Sequence, residues 1–221
     1  MRRALRHSLA RRLAAALAAA VLTVACVTAS APVAGAQPAL SPAEKARADG
    51  GHPPYTPADV RFMSGMIGHH AQAVLMAGWA PTHGASKSVQ ILCERIAVAQ
   101  RDEIALMQRW LGDRHEAVPE ADASHDMMPG MEGMHHAMMP GMLTAEQLQQ
   151  LDAARGPAFD RLFLTFMIQH HRGALTMVDQ LFGSTGAAQD DVVFKFASDV
   201  SADQTTEIDR MTTMLDAMPN R

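Results

Sequence analysis

Residues 62–77 read FMSGMIGHHAQAVLMA, and residues 163–178 read FLTFMIQHHRGALTMV. Seven of the sixteen aligned positions are identical: Phe, Met, Ile, His, His, Ala and Met. Both stretches carry apolar residues at steps of three and four, the period of one helix face. A second helical pattern follows each and also repeats. Gln100, Glu103, Ile104, Met107 and Leu111 answer to Gln204, Glu207, Ile208, Met211 and Leu215. The chain therefore reads as two copies of one αα-hairpin. A single hairpin cannot bury its apolar stripe alone, so the pattern predicts an all-α fold in which two hairpins dock as a four-helix bundle. Nothing reads as a strand.

Helix signals place this domain at residues 56–218. Thr56-Pro57-Ala58-Asp59 supplies an N-cap oxygen, a proline at the first helical position and an acid in the first turn. Pro81 stops that helix after Ala80, and a second runs from Ser86 to Asp113, closing a first hairpin over 56–113. Thr144-Ala145-Glu146-Gln147 is a capping box that opens a short helix. Gly156-Pro157 breaks it and starts a long one to Phe182, and Asp190-Asp191 open the last, to Met218, so the second hairpin spans 144–218. Between the hairpins, residues 114–143 read as a disordered linker. Residues 37–55, rich in Pro, Gly and Ala, read as a flexible leader.

Residues 1–36 read as a signal peptide. Arg2, Arg3, Arg6, Arg11 and Arg12 precede an apolar run from Leu13 to Val27, and Ala34-Gly35-Ala36 offers a small-x-small cleavage site. The run is too short for a membrane anchor. Arg11-Arg12 leaves a twin-arginine signal open, and Cys26 leaves a lipoprotein signal open. Cleavage after Ala36 implies a periplasmic protein of 185 residues with 14 Lys+Arg against 23 Asp+Glu. Such a charge repels nucleic acid and anionic lipid and attracts cations. Cys93, the one cysteine left, excludes an internal disulfide framework and reads as a small buried apolar residue.

The chemistry lies where polar residues interrupt apolar stripes. Heptad steps on the first helix give Phe62, Met66, His69, Ala73, Met76 and Ala80; on the third they give Phe163, Met167, His170, Ala174, Met177 and Leu181. The second helix gives Val89, Leu92, Ile96, Ala99, Glu103, Leu106 and Trp110, and the last gives Val193, Phe196, Val200, Asp203, Glu207, Arg210 and Met214. Glu103 and Glu207 thus sit opposite His69 and His170. A buried carboxylate is expensive without a proton donor or a cation. The bland reading is a His–Glu hydrogen bond among core-filling Met. A Met-x-x-His-His with a downstream Met, opposite a Gln-x-x-Glu-x-x-x-Met, each present twice, favours a metal site instead. Met107 and Met211 lie a turn from the glutamates. His70 and His171, one residue off the seam, are outer support, surface ligands or boundary packing.

The linker carries a second signal. Residues 125–142 read HDMMPGMEGMHHAMMPGM, with seven Met and three His. Thioether and imidazole suit Cu(I), and imidazole with carboxylate suits Cu(II). MPGM occurs twice, at Met128–Met131 and Met139–Met142, and its turn residues bring sulfurs together. Met134, His135 and His136 lie between the two. No helical period explains the cluster, and clustered exposed Met is prone to oxidation.

At Phe62-Met63-x-x-Met66-Ile67-x-His69-His70, at Phe163-Leu164-x-x-Met167-Ile168-x-His170-His171-x-Gly173-Ala174, and at the Gln-x-x-Glu-Ile stretches from Gln100 and Gln204, the chain resembles the family called domain of unknown function 305. The resemblance spans about residues 56–218. It implies a ferritin-like helical bundle and, by likeness to exported members that bind copper in sites of His and Met, a copper role.

These readings converge on a copper binder of the periplasm that sequesters the ion or transfers it, serving copper tolerance. A periplasmic copper transporter or chaperone is a fitting partner, and neither nucleic acid nor a membrane span is expected of the mature chain. A ferritin-like metal-dependent oxidase is the alternative. A di-iron bundle needs about six core ligands with Glu-x-x-His on two helices, yet Leu106 and Arg210 stand where those histidines would be. No enzyme is expected, and no nucleophile with an ordered base or phosphate loop is visible.

Overall fold

The computed structural model describes residues 54–123 and 139–219. The segment read as a signal peptide, nearly all of the segment read as a leader, and Met128, Met131, Met134, His135 and His136 lie outside the described residues. Five helices and no strand are found among the described residues: α1 Pro57–Gly78, α2 Lys87–Asp113, α3 Ala145–Ala153, α4 Pro157–Phe182 and α5 Asp191–Asp216. Among the described residues, no helix is long and apolar enough to cross a membrane.

The start signals act as the sequence implies. Thr56 caps α1 in a full capping box with Asp59, with Pro57 in the first turn. Thr144 and Gln147 do the same for α3. Asp190 caps α5 through Val192 N and Val193 N. Two first-turn acids also tie the hairpins together. Asp59 Oδ1 accepts from Ala188 N at 2.7 Å, so α1 is fastened to the α4–α5 loop. Its counterpart Asp160 accepts from Ser86 N at 3.1 Å, so α4 is fastened to the start of α2. Neither tie shows in the sequence, because a capping acid looks the same with or without a distant partner.

The apolar core is divided in two. One cluster joins the first half of α1 (Phe62, Met66) and the second halves of α2 (Met107, Trp110) and α4 (Met177, Leu181) to the first half of α5 (Val193, Phe196). The other joins the second half of α1 (Met76) to the first halves of α2 (Leu92, Ile96) and α4 (Phe159, Met167), and to Met211 of α5. The first half of α1 shares a cluster with the second half of α4, so these helices run antiparallel. On all four long helices the boundary between clusters falls at polar residues: His69 and His70, Gln100 and Glu103, His170 and His171, Gln204 and Glu207. A polar layer thus crosses the middle of the bundle.

The heptad stripes hold at the ends and slip in the middle of α2 and α5. Ala99, Asp203 and Arg210, expected inside, are exposed, while Gln100, Gln204 and Met211 are buried. A straight helix drifts about 20° per heptad against a 3.5-residue seam, so a strict heptad does not follow the buried face along its whole length. Cys93 is buried and unpaired, as its apolar reading requires, and burial pushes its thiol up to about 12.

The linker is not wholly outside the bundle. Its last residues lie across α1 and α4. Gln72, buried on α1, holds Leu143 at both backbone groups, with Leu143 N to Gln72 Oε1 at 2.8 Å and Gln72 Nε2 to Leu143 O at 3.2 Å. Gly141, at φ +79°, lies so close to Gly173 of α4 that a Cβ on it would meet the Gly173 Cα at 2.6 Å. Only glycine at both positions permits this crossing.

Candidate metal centre

Four histidines fill the polar layer, and all are fully buried. His69 and His170 meet face to face across α1 and α4, with ring centroids 3.8 Å apart and planes tilted 38°. Each hairpin gives one, and the two occupy equivalent positions. Their neighbours point sideways into their own hairpins. His70 Nε2 lies 2.7 Å from Glu103 Oε2 on α2, and His171 Nε2 lies 2.7 Å from Glu207 Oε2 on α5. The His171 contact has the alignment of a hydrogen bond; the His70 contact matches its length without that alignment.

This corrects the pairing read from the heptads. Glu103 and Glu207 face His70 and His171, not His69 and His170. The glutamates are also only partly buried, with 22 and 21 % of the side chain exposed. The reason is the width of the buried face. α1 and α4 each have a partner helix on one side and one another, with the linker end, on the other. Two successive residues can therefore both be interior, which a two-residue heptad seam does not allow.

Burial, and after it the adjoining His70, lowers the pKa of His69 from 6.5 to about 3, with the Pro140 carbonyl opposing them. Burial, then His69, holds His170 well below its ordinary value. Both rings are neutral at pH 7. The linker end sets the tautomer of His69: Nε2 lies 3.1 Å from the Pro140 carbonyl. A carbonyl oxygen only accepts, so Nε2 carries the hydrogen and Nδ1 keeps the lone pair. The Glu207 carboxylate, which also only accepts, holds Nε2 of His171 in the same way. Nδ1 of all four histidines is buried without a protein partner, as are Nε2 of His70 and His170 and the Oε1 atoms of Gln100 and Gln204; His69 and His171 alone have one ring nitrogen held and the other bare. An imidazole whose outer N–H is held by an oxygen and whose other nitrogen is bare has the form of a metal-ligating histidine.

Sulfur surrounds this layer. Met66, Met76, Met107, Met167 and Met211 are completely buried, and Met177 nearly so. Met66 and Met167 stand one turn before the histidine pairs, and Met107 and Met211 one turn after the glutamates. Met139 and Met142, at the linker's end, are half-buried. A Cβ on Gly65 would meet Met139 Sδ at 3.1 Å, which places that sulfur against α1 one turn from His69. Among the described residues, no three His, Cys, Asp or Glu side chains already converge as a ligand set. A metal would therefore draw on thioethers, or on a small rearrangement of the layer.

Sequence reasoning missed Gln72, the two layer glutamines as buried acceptors, and the Pro140 carbonyl. Gln100 and Gln204 were within reach, since both belong to the repeated Gln-x-x-Glu. A backbone carbonyl leaves no mark in a sequence.

The fold and the layer define an all-helical bundle with a buried histidine core. The family model for a domain of unknown function, DUF305, matches residues 59–215, and the chain belongs to that family. Solved structures agree. A DUF305 fragment from Deinococcus radiodurans is 28 % identical at a TM-score of 0.62, over 75 % of this chain and 100 % of that one. A DUF305 protein from Streptomyces coelicolor, described as secreted, is 28 % identical at 0.60, over 72 % and 92 %. CopM in its Cu(II)-bound form is 27 % identical at 0.54, over 72 % and 95 %, and in its Cu(I)-bound form 25 % identical at 0.54, over 74 % and 97 %. No curated protein matches this chain.

Proposed function

We propose that this protein is an exported copper binder, not an enzyme, that sequesters the ion in the periplasm or hands it to a transporter or chaperone there. The observation that carries this reading is the set of four buried Nδ1 atoms without a partner. Leaving a buried polar group unpaired costs about 1–3 kcal/mol. Leucine in those four places would avoid the cost, so folding alone gives no reason to keep imidazole.

The donor set fits copper. Neutral imidazole binds both oxidation states, and thioether favours Cu(I). His69, His70, His170 and His171 would hold the ion, with Met66, Met167, Met107 and Met211 as sulfur donors within a turn. Glu103, Glu207 and the Pro140 carbonyl would orient three of the rings. Likeness to CopM, solved with both copper ions, supports the same reading. The signal peptide, together with a solved relative described as secreted, supports the periplasmic location.

Titration of the mature protein with Cu(I) under reducing conditions, and separately with Cu(II), against competing chromophoric chelators, tests this. At least one copper per chain should be retained against the chelator. A protein that yields all its copper would contradict the proposal. Met128→Leu, Met131→Leu, Met139→Leu and Met142→Leu together should weaken Cu(I) binding and leave helix content, read by circular dichroism, nearly unchanged. Unaltered Cu(I) stoichiometry and affinity in that variant would remove these four sulfurs from the account.

A further inference from the structure

Pro140 and Gly141 face two ways. They border an open groove of about 680 Å³, whose walls include Gln169 and Arg172 of α4 and Thr212 and Leu215 of α5. Met139 to Met142 are half-buried. Yet the Pro140 carbonyl lies 3.1 Å from Nε2 of His69, which is fully buried. One thin stretch of backbone thus touches both the groove and the buried ring. It is tied unequally at its two ends. Leu143 is buried and gripped by Gln72 at both backbone groups. Upstream of it, His69 Nε2 holds the Pro140 carbonyl, and Gln169 Nε2 reaches the Gly141 carbonyl at 3.4 Å, near the limit for such a bond. The Met142 N–H bonds to the Met139 carbonyl at 3.2 Å, a turn within the stretch itself. Lifting the Met139 end therefore unfolds no helix, and Gly141, at φ +79°, supplies a hinge beside the Leu143 anchor.

We propose that Met139–Leu143 is a strap that lifts at its Met139 end to admit copper from this groove to His69 and His170, and that closes again over the bound ion. This rests on the copper-binding reading above and adds the way in. Closure has a chemical reason. A cation on the bare Nδ1 of His69 makes its Nε2–H a stronger donor, so the ion tightens the bond to Pro140. Closure also sets Met139 Sδ against Gly65, one turn from His69, and a thioether there favours Cu(I). Binding and closure therefore favour one another, as linked equilibria must. Arg172, the charged side chain on the groove wall, is exposed, so water and salt screen it from an entering cation.

Gly141→Ala should lift the strap and spare the bundle. Its Cβ would meet the Gly173 Cα at 2.6 Å and the Gln169 carbonyl oxygen at 2.7 Å, while residue 141 itself lies outside every helix. Histidine labelling by diethyl pyrocarbonate, mapped by tandem mass spectrometry on the metal-free mature protein, reads access without any copper. In the variant, labelling of His69 and His170 should quicken about tenfold, as expected when one or two hydrogen bonds no longer hold the strap down. His70 and His171, turned into their own hairpins, should stay protected. Release of Cu(I) from the loaded protein to a chelator should quicken by a similar factor. Gly78→Ala, where a Cβ meets nothing within 4 Å, should match the wild type in both. Gln169→Leu cuts a single tie and keeps both crossing glycines, so it should fold and give smaller rises of the same kind. Unchanged labelling of His69 and His170 in both strap variants would overturn the route, and so would a rise shared equally by all four histidines. A wild-type protein that retains no copper would be a separate result, and it would sink the copper reading itself.

Discussion

His69 and His70 divide two tasks that the sequence presents as a single dipeptide. His69 faces the other hairpin and stacks on His170, while His70 faces its own hairpin and meets Glu103. The doubled His-His and the repeated glutamate were legible in the sequence as a candidate site, and the structure brings them into one layer. Which histidine meets which glutamate was not, because one residue is a 100° turn and the heptad assigns a single interior position there. Two outcomes belong to this scale. Glu103→Gln with Glu207→Gln removes the charge that orients His70 and His171. Copper affinity should fall about 10- to 100-fold, while the metal-free protein, in which the partly exposed glutamates bear little load, should melt nearly as before. Chelator-competition titration and a thermal melt check the two halves.

The second outcome is a pH dependence. His69 ionises near 6.5 when unfolded but only at about 3 when folded, and His170 is shifted in the same direction. Below pH 6.5 the unfolded chain takes up protons that the folded one refuses. These rings therefore cost the folded state nothing by protonation above about pH 6.5, and they destabilise it progressively as pH falls towards 3. Calorimetry of the metal-free protein should show the melting temperature dropping from pH 7 to pH 5. The drop should be shallower when both residues are leucine, and parallel curves would contradict the account.

At the level of elements, the helices and their caps were legible because capping boxes and breakers act locally. The crossing of the linker end over α1 and α4 was not, because its determinants are two glycines far apart in sequence. Gly173 and Gly78 separate the competing effects. Alanine is the better helix former by about 1 kcal/mol. At Gly78 a Cβ meets nothing within 4 Å, so Gly78→Ala should stabilise slightly. At Gly173 a Cβ would fall 1.9 Å from the Pro140 carbonyl oxygen, a clash with backbone that no rotamer relieves. Gly173→Ala should expel the crossing, free His69 Nε2 and destabilise by about 1–3 kcal/mol despite the helix gain. Urea unfolding of the two variants gives the opposite signs directly.

For the whole molecule, the question is why a bundle of this size interrupts its core with histidines. A continuous apolar core through the middle would be cheaper. On the copper-binding proposal the layer is kept for a metal, and metal-free stability is lower as a result. The antiparallel docking of the hairpins brings the two Met-x-x-His-His stretches face to face, so neither hairpin holds the whole site. The sequence revealed that docking through its repeat, and the linker's composition pointed to the same ion. The angle at which the helices meet, and so the stacking of His69 on His170, needed three dimensions.

Thermal melts of wild type and of His69→Leu with His170→Leu, each with and without copper, test the central claim most directly. A metal that binds only the folded state stabilises it by mass action. The metal-free variant should melt close to the metal-free wild type, since the loss of unpaired polar atoms from the core offsets the loss of the His69–Pro140 hydrogen bond, and the copper-induced rise should shrink or vanish. A copper-induced rise as large in the variant as in the wild type would contradict that claim.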